Sequence, residues 1–225
     1  PVSIVAGHTL TLPGTPINTG TANLTLASEI GPLVVPAALS GATVNLSAGT
    51  TMTIGANITS DNLFLTAGDA ITQVGGSILA GLFTVVNAHA GPNSAGNARA
   101  ITLTGSGNDF NRISTNGGPV GIVDANIVEL ASSTVFGDYS VNANGTIAQQ
   151  PSSDLQITGT ATLRSVTGDI IVTQPINNIA GLDLGGNTIT VFNGGSATTV
   201  SVAGSNNNPV TVSSGGALTV LPGGP

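Results

Sequence analysis

Apolar residues alternate with small polar ones in short runs along the whole chain, and the runs return at a fixed interval. Val44-Asn45-Leu46-Ser47-Ala48-Gly49-Thr50-Thr51-Met52 can be laid position by position on Leu63-Phe64-Leu65-Thr66-Ala67-Gly68-Asp69-Ala70-Ile71. Alternation with period two is the mark of a half-buried strand, and the Ala-Gly pair marks a turn. One apolar position can be followed from end to end through Ile4, Leu24, Val44, Leu63, Phe83, Ile101, Val120, Tyr139, Leu163, Leu182, Val200 and Leu218. Its steps are nearly equal, apart from one long step between Tyr139 and Leu163. A second series runs beside it through Val34, Met52, Ile71, Val128, Ile147, Ile171, Ile189 and Val210.

A strand-turn-strand unit repeating at this interval is the pattern of a solenoid. Such a coil is too short for a strand-helix-strand crossover, which needs about 30 residues. The expected fold is therefore all-β: a single right-handed parallel β-helix over residues 1–225, with about twelve coils and a period of roughly 19 residues. Two surface loops are expected. One, near 87–99, replaces a strand while keeping the coil length; the other, near 149–154, adds about five residues to its coil. Leu63, Phe83, Ile101, Ile147 and Leu182 are the expected core.

Composition narrows the function. Charged residues make up 6% of the chain, against about 25% in ordinary soluble domains. There is no Lys; Arg99, Arg112 and Arg164 face ten acids, for a net charge of −7. This excludes the basic clusters that nucleic acids and anionic membrane surfaces require. No apolar run is long enough for a transmembrane helix, and cysteine is absent. Because the sequence starts at Pro1 with no charged-then-apolar leader, we expect a processed product or part of something longer.

Candidate chemistry is sparse. The carboxylates are Glu29, Asp61, Asp69, Asp109, Asp124, Glu129, Asp138, Asp154, Asp169 and Asp183. Glycosidases need two close carboxyls, and the period makes Asp109 and Glu129 neighbours one coil apart; turn aspartates bonding backbone are the plainer expectation. His8 and His89 lie four coils apart, too far for a shared zinc ion. Neither the calcium-binding nonapeptide nor a Gly-x-Ser-x-Gly elbow occurs. No catalytic, cofactor-binding or metal-binding residue is expected, and no cofactor.

Gln73, Gln149 and Gln174 each end an apolar-x-Gln run, and stacked amides on adjacent coils form hydrogen-bonded ladders. Sequons at Asn23, Asn45, Asn57 and Asn144 are unsurprising in a chain so rich in Asn and Thr. Thr51-Met52-Thr53 and Thr188-Ile189-Thr190 have the spacing of an ice-binding face.

Three segments carry a family resemblance: Ile101-Thr102-Leu103-Thr104-Gly105-Ser106-Gly107-Asn108-Asp109-Phe110, Ile122-Val123-Asp124-Ala125-Asn126, and Tyr139-Ser140-Val141-Asn142-Ala143-Asn144-Gly145-Thr146-Ile147-Ala148-Gln149. They are similar to the shafts of filamentous haemagglutinin-like exoproteins of bacteria, secreted by the two-partner route. The resemblance runs from Val44 to Gln174 and by period beyond. It implies a right-handed β-helical shaft, export from the cell, and adhesion or matrix building. The family's secretion domain with its Asn-Pro-Asn signature is not visible, and Asn208-Pro209 does not satisfy it.

The expected function is an extracellular or cell-surface structural protein rather than an enzyme. It is a shaft or filament subunit associating with itself head to tail or continuing covalently, with surface glycans as a second class of partner and no nucleic acid or membrane insertion. A carbohydrate-active or tail-spike-like β-helix is the alternative, and an ice-binding module a third. Neither end reads as a polar cap, and Ala217-Leu218-Thr219-Val220-Leu221-Pro222-Gly223 echoes Thr9-Leu10-Thr11-Leu12-Pro13-Gly14.

Overall fold

The computed structural model describes residues 1–92, 94–195, 197–203 and 208–221. Runs of Val, Ile, Leu and Thr form 25 strands, interrupted at Gly, Asn, Asp and Pro turns, and no helix occurs among the described residues. Every strand ladder is parallel, and strands pair from coil to coil, those of the first and last coils on one side only. An isolated antiparallel bridge joins His89 to Ala98.

The ladders define three sheets that wrap around one core. Sheet 1 begins with Val2–Ala6, sheet 2 with Leu10–Thr11 and sheet 3 with Ile17–Asn18. Sheet 2 runs the whole length of the solenoid. Its register passes from Leu10 to Leu33, Met52, Ile71, Ile101, Val120, Tyr139, Ala161, Leu182, Val200 and Val220. These eleven positions count eleven coils, stacked at the usual strand spacing of about 4.8 Å. Successive side chains point in and out, so Leu33, Met52, Ile71 and Ile101 form a fully buried file in one continuous core.

The Ala-Gly turns that open the sequence pattern have a steric reason. The backbone of each coil lies directly on the last, and Gly68 donates its N–H to the Ala48 carbonyl. A Cβ on Gly68 would stand 2.2 Å from the Gly49 carbonyl oxygen, so only glycine fits.

Several positions depart from the expected register. Leu63, Ile101, Ile147 and Leu182 are buried, but Phe83 is half-buried. A register shift between Ala80 and Phe83 passes the inward position to Thr84, which pairs with Leu63. The inward residue of sheet 3 is Ile170, which pairs with Ile147; Ile171 is 41% exposed. Leu33 rather than Val34 pairs with Met52. Val2 pairs with Leu24, Ala161 with Tyr139 and Val220 with Val200, each displaced by two positions from the expected partner. The coil after Tyr139 closes at Ala161 rather than Leu163, so the turn at 150–154 adds about three positions rather than five.

The first loop does not keep the coil length. The strand Ile78–Ala88 continues to Ala88, so the loop spans 89–100. The coil from Ile71 to Ile101 is half as long again as its neighbours. Phe83 and Ile101 are one period apart in sequence but lie on different sheets, so the apparent period survives because the pattern changes sheet. Before the loop, the long bent strands Leu39–Ala48, Ile58–Ala67 and Ile78–Ala88 turn the corner from sheet 3 into sheet 1. After it, Leu155–Ser165 and Asn178–Gly185 turn the corner from sheet 1 into sheet 2. Likewise Ile71–Gln73 is in sheet 2 while its counterpart Ile147–Gln149 is in sheet 3.

Candidate functional site

Every arginine is engaged by an acid. Arg99 Nε lies 3.6 Å from Asp69, Arg112 Nε 2.6 Å from Glu129 and Arg164 Nη2 2.5 Å from Asp183. These are part-exposed pairs between coils, each worth at most about 1 kcal/mol. The ladder sets Glu129 opposite Arg112, so the acid spaced to neighbour Asp109 is turned to a cation instead. Other carboxylates staple coils together: Asp138 accepts the Thr160 N–H and Asp169 the Thr188 N–H, both at 2.9 Å.

Asp124 is different, because its carboxyl is buried behind the surface. It accepts the N–H groups of Phe110 at 2.7 Å and Asn126 at 2.8 Å. Burial pushes its pKa up to about 6 from 3.8, helped by the negative charge of Asp109 and opposed by the two N–H donors. A raised folded-state value favours the protonated form, so this contribution to stability is present below pH 3.8 and is lost as pH rises through about 6. The midpoint of thermal unfolding should therefore fall between those values in the wild type, and the fall should be shallower in Asp124→Asn. Parallel pH profiles for the two proteins would show that Asp124 does not set this slope.

The glutamines are paired with asparagines that the sequence pattern did not single out. Gln73 and Asn108 exchange two amide hydrogen bonds of 2.9 Å, and Gln149 and Asn177 exchange two of 2.7 and 2.9 Å. In each pair the Asn Oδ1 also accepts the N–H that starts a strand, Ile78 in one and Leu155 in the other. Gln149 and Gln174 therefore do not form a side-chain ladder; Gln149 Oε1 accepts the Gln174 backbone N–H. The readable signal was an Asn directly before a strand, in Asn108-Asp109-Phe110 and Asn177-Asn178-Ile179.

Tyr139 is also interior. Burial pushes its phenol up to about 12 despite the nearby hydroxyls of Thr115 and Ser133, and its hydroxyl has no well-aligned hydrogen bond. No group of three or more His, Cys, Asp or Glu among the described residues is placed to hold a metal ion. The two Thr pairs fall on different sheets, with Thr53 on sheet 2 and Thr190 on sheet 3. The outward file of sheet 2 does align Thr53, Thr72 and Thr102, but Val34, Gly121 and Asp183 interrupt it.

A groove of about 880 Å³ follows the corner between sheets 3 and 1, from Gly20 to Ile127. Six successive coils contribute to it, and it holds Asp61 and Asp109. Asp61 was among the candidate carboxylates; its meeting with Asp109 depends on the long coil around the loop at 89–100, which a uniform period does not place.

Residues 40–116 and 117–184 match, as two copies, the family described as repeats of unknown function (DUF5649). The first copy is the longer of the two, as the loop at 89–100 requires. No curated protein and no solved structure matches the chain. These two copies span more than half of the sequence, so the chain belongs to this family of repeats.

Proposed function

We propose that the chain is a length of extracellular structural shaft, of the adhesin kind, whose terminal coils stack on further solenoid. That solenoid is either the continuation of the same polypeptide or a second copy. One observation carries the reading: both terminal coils present open strand edges beside exposed apolar side chains. At one end Val2, Ile4 and Val5 are 41%, 39% and 56% exposed; at the other, Val210, Leu218 and Val220 are 39%, 41% and 71% exposed. Open parallel edges template further pairing, and no Asp, Glu, Lys or Arg occurs among the described residues of these two coils. The echo between Leu10-Thr11 and Leu218-Thr219 falls within sheet 2 at both ends, so one end offers the other a familiar partner. The resemblance of residues 44–174 to secreted bacterial shafts supports the extracellular setting.

Hydrogen bonding locates the test. The Val2 N–H and the Ala6 C=O are used towards the next coil, so alternate residues Ser3 and Val5 direct theirs to the open edge. Sedimentation velocity over a micromolar concentration series should show wild-type oligomers growing with concentration. Ser3→Pro, which blunts the edge without removing an internal bond, should remain monomeric with an unchanged melt. A wild-type chain that stays monomeric throughout the series would refute stacking between copies.

A further inference from the structure

We infer that the groove between sheets 3 and 1 is a binding site for an uncharged linear glycan, a role separate from end-to-end stacking. Its shape comes from the fold. Glycine and alanine line the corner at Gly41, Ala42, Ala80 and Gly81: Gly41 and Ala80 are buried and keep the wall thin, while a larger side chain at the exposed Gly81 would stand beside Asp61 in the concavity. The groove crosses six coils and so runs with the solenoid axis, at a coil spacing of about 4.8 Å. A trough of that extent suits several units of an extended polymer better than a compact metabolite.

The lining selects the polymer. Ser40, Thr59, Asp61 and Asp109 supply hydroxyl and carboxylate oxygens, and none of the described residues lining the groove is cationic. The three arginines are paired elsewhere, with Asp69, Glu129 and Asp183. An acceptor-rich, anionic groove repels polyanions and favours a ligand bearing many donors. Leu79 and Ile127, 42% and 60% exposed, add apolar surface for the C–H faces of sugar rings. A peptide adding as a strand needs free backbone groups. Here the backbone is already paired from Ser40 to Thr59, Leu79 and Asp109. Recognition must run through side chains, and sugar hydroxyls match them.

Affinity electrophoresis in native gels cast with hydroxyethyl cellulose, mannan or dextran tests this, with alginate as the polyanion control. The Ser3→Pro background keeps self-association from altering mobility. Retardation is expected in at least one neutral gel and not in alginate. Asp61→Asn with Asp109→Asn should weaken it about tenfold, the worth of hydrogen bonds to charged acceptors. Thr59→Trp, an outward substitution that fills the groove, should abolish it. Circular dichroism melts confirm that the variants fold. Mobility unchanged in all three neutral gels overturns the inference. So does equal retardation in alginate, or folded variants retarded like their parent. Binding of polylysine without any neutral glycan would likewise overturn it, marking the groove as a cation-binding surface.

Discussion

Ile170→Asp should abolish cooperative folding or lower the unfolding midpoint sharply, while Ile171→Asp, the same change one residue on, should leave it nearly unaltered. The two isoleucines share one three-residue strand, Ile170–Val172. Ile170 is fully buried between Ile147 and Ile189, whereas Ile171 is 41% exposed between Ala148 and Thr190. A carboxylate at 170 would be desolvated without a partner, a cost of roughly 3 kcal/mol or more. At 171 it stays in water, and outward substitutions of this kind are worth about 0.5 kcal/mol or less. Thermal melts followed by circular dichroism separate the two. Equal losses, or the larger loss at 171, would mean that the strand faces the other way.

The second large effect is expected at the buried amide pairs. Asn177→Leu removes the acceptor of the Leu155 N–H and one partner from each end of the Gln149 amide. Buried groups left unpaired cost about 1–3 kcal/mol each, so a loss of about 2–4 kcal/mol is expected. Asn108→Leu should behave alike, because Asn108 holds Gln73 and the Ile78 N–H in the same way. Gln149→Leu combined with Asn177→Leu should cost clearly less than the two single losses added, since each single change already breaks the shared pair. Denaturant melts of the four proteins measure this. Strict additivity would show that the pair is not coupled.

The period and the strand alternation were legible because a parallel coil stack imposes them on every coil. The files through Val44 and Leu63, and through Ile101, Val120 and Tyr139, stand as their spacing indicates. Phase within a coil was harder to read. In three-residue strands such as Leu33–Val35 and Ile170–Val172, all three positions are apolar, so alternation cannot say which residue faces in. The register shift after Ala80 moves the inward position from a phenylalanine to a threonine, against hydrophobicity. The change of sheet across the loop at 89–100 was hidden because an added loop and a one-sheet rotation together preserve the spacing. That rotation also brings Asp61 and Asp109 to one groove, and it sets Asn108 against Gln73 from a distant part of the sequence.

Electron microscopy of the chain at tens of micromolar tests most directly the proposal that copies of this solenoid stack end to end. The account predicts unbranched rods one solenoid wide, their lengths whole multiples of the eleven-coil unit. Within each rod the coils should repeat at about 4.8 Å. Ser3→Pro should return the rods to single units. A field of separate particles one unit long at every concentration, identical for wild type and Ser3→Pro, would contradict it.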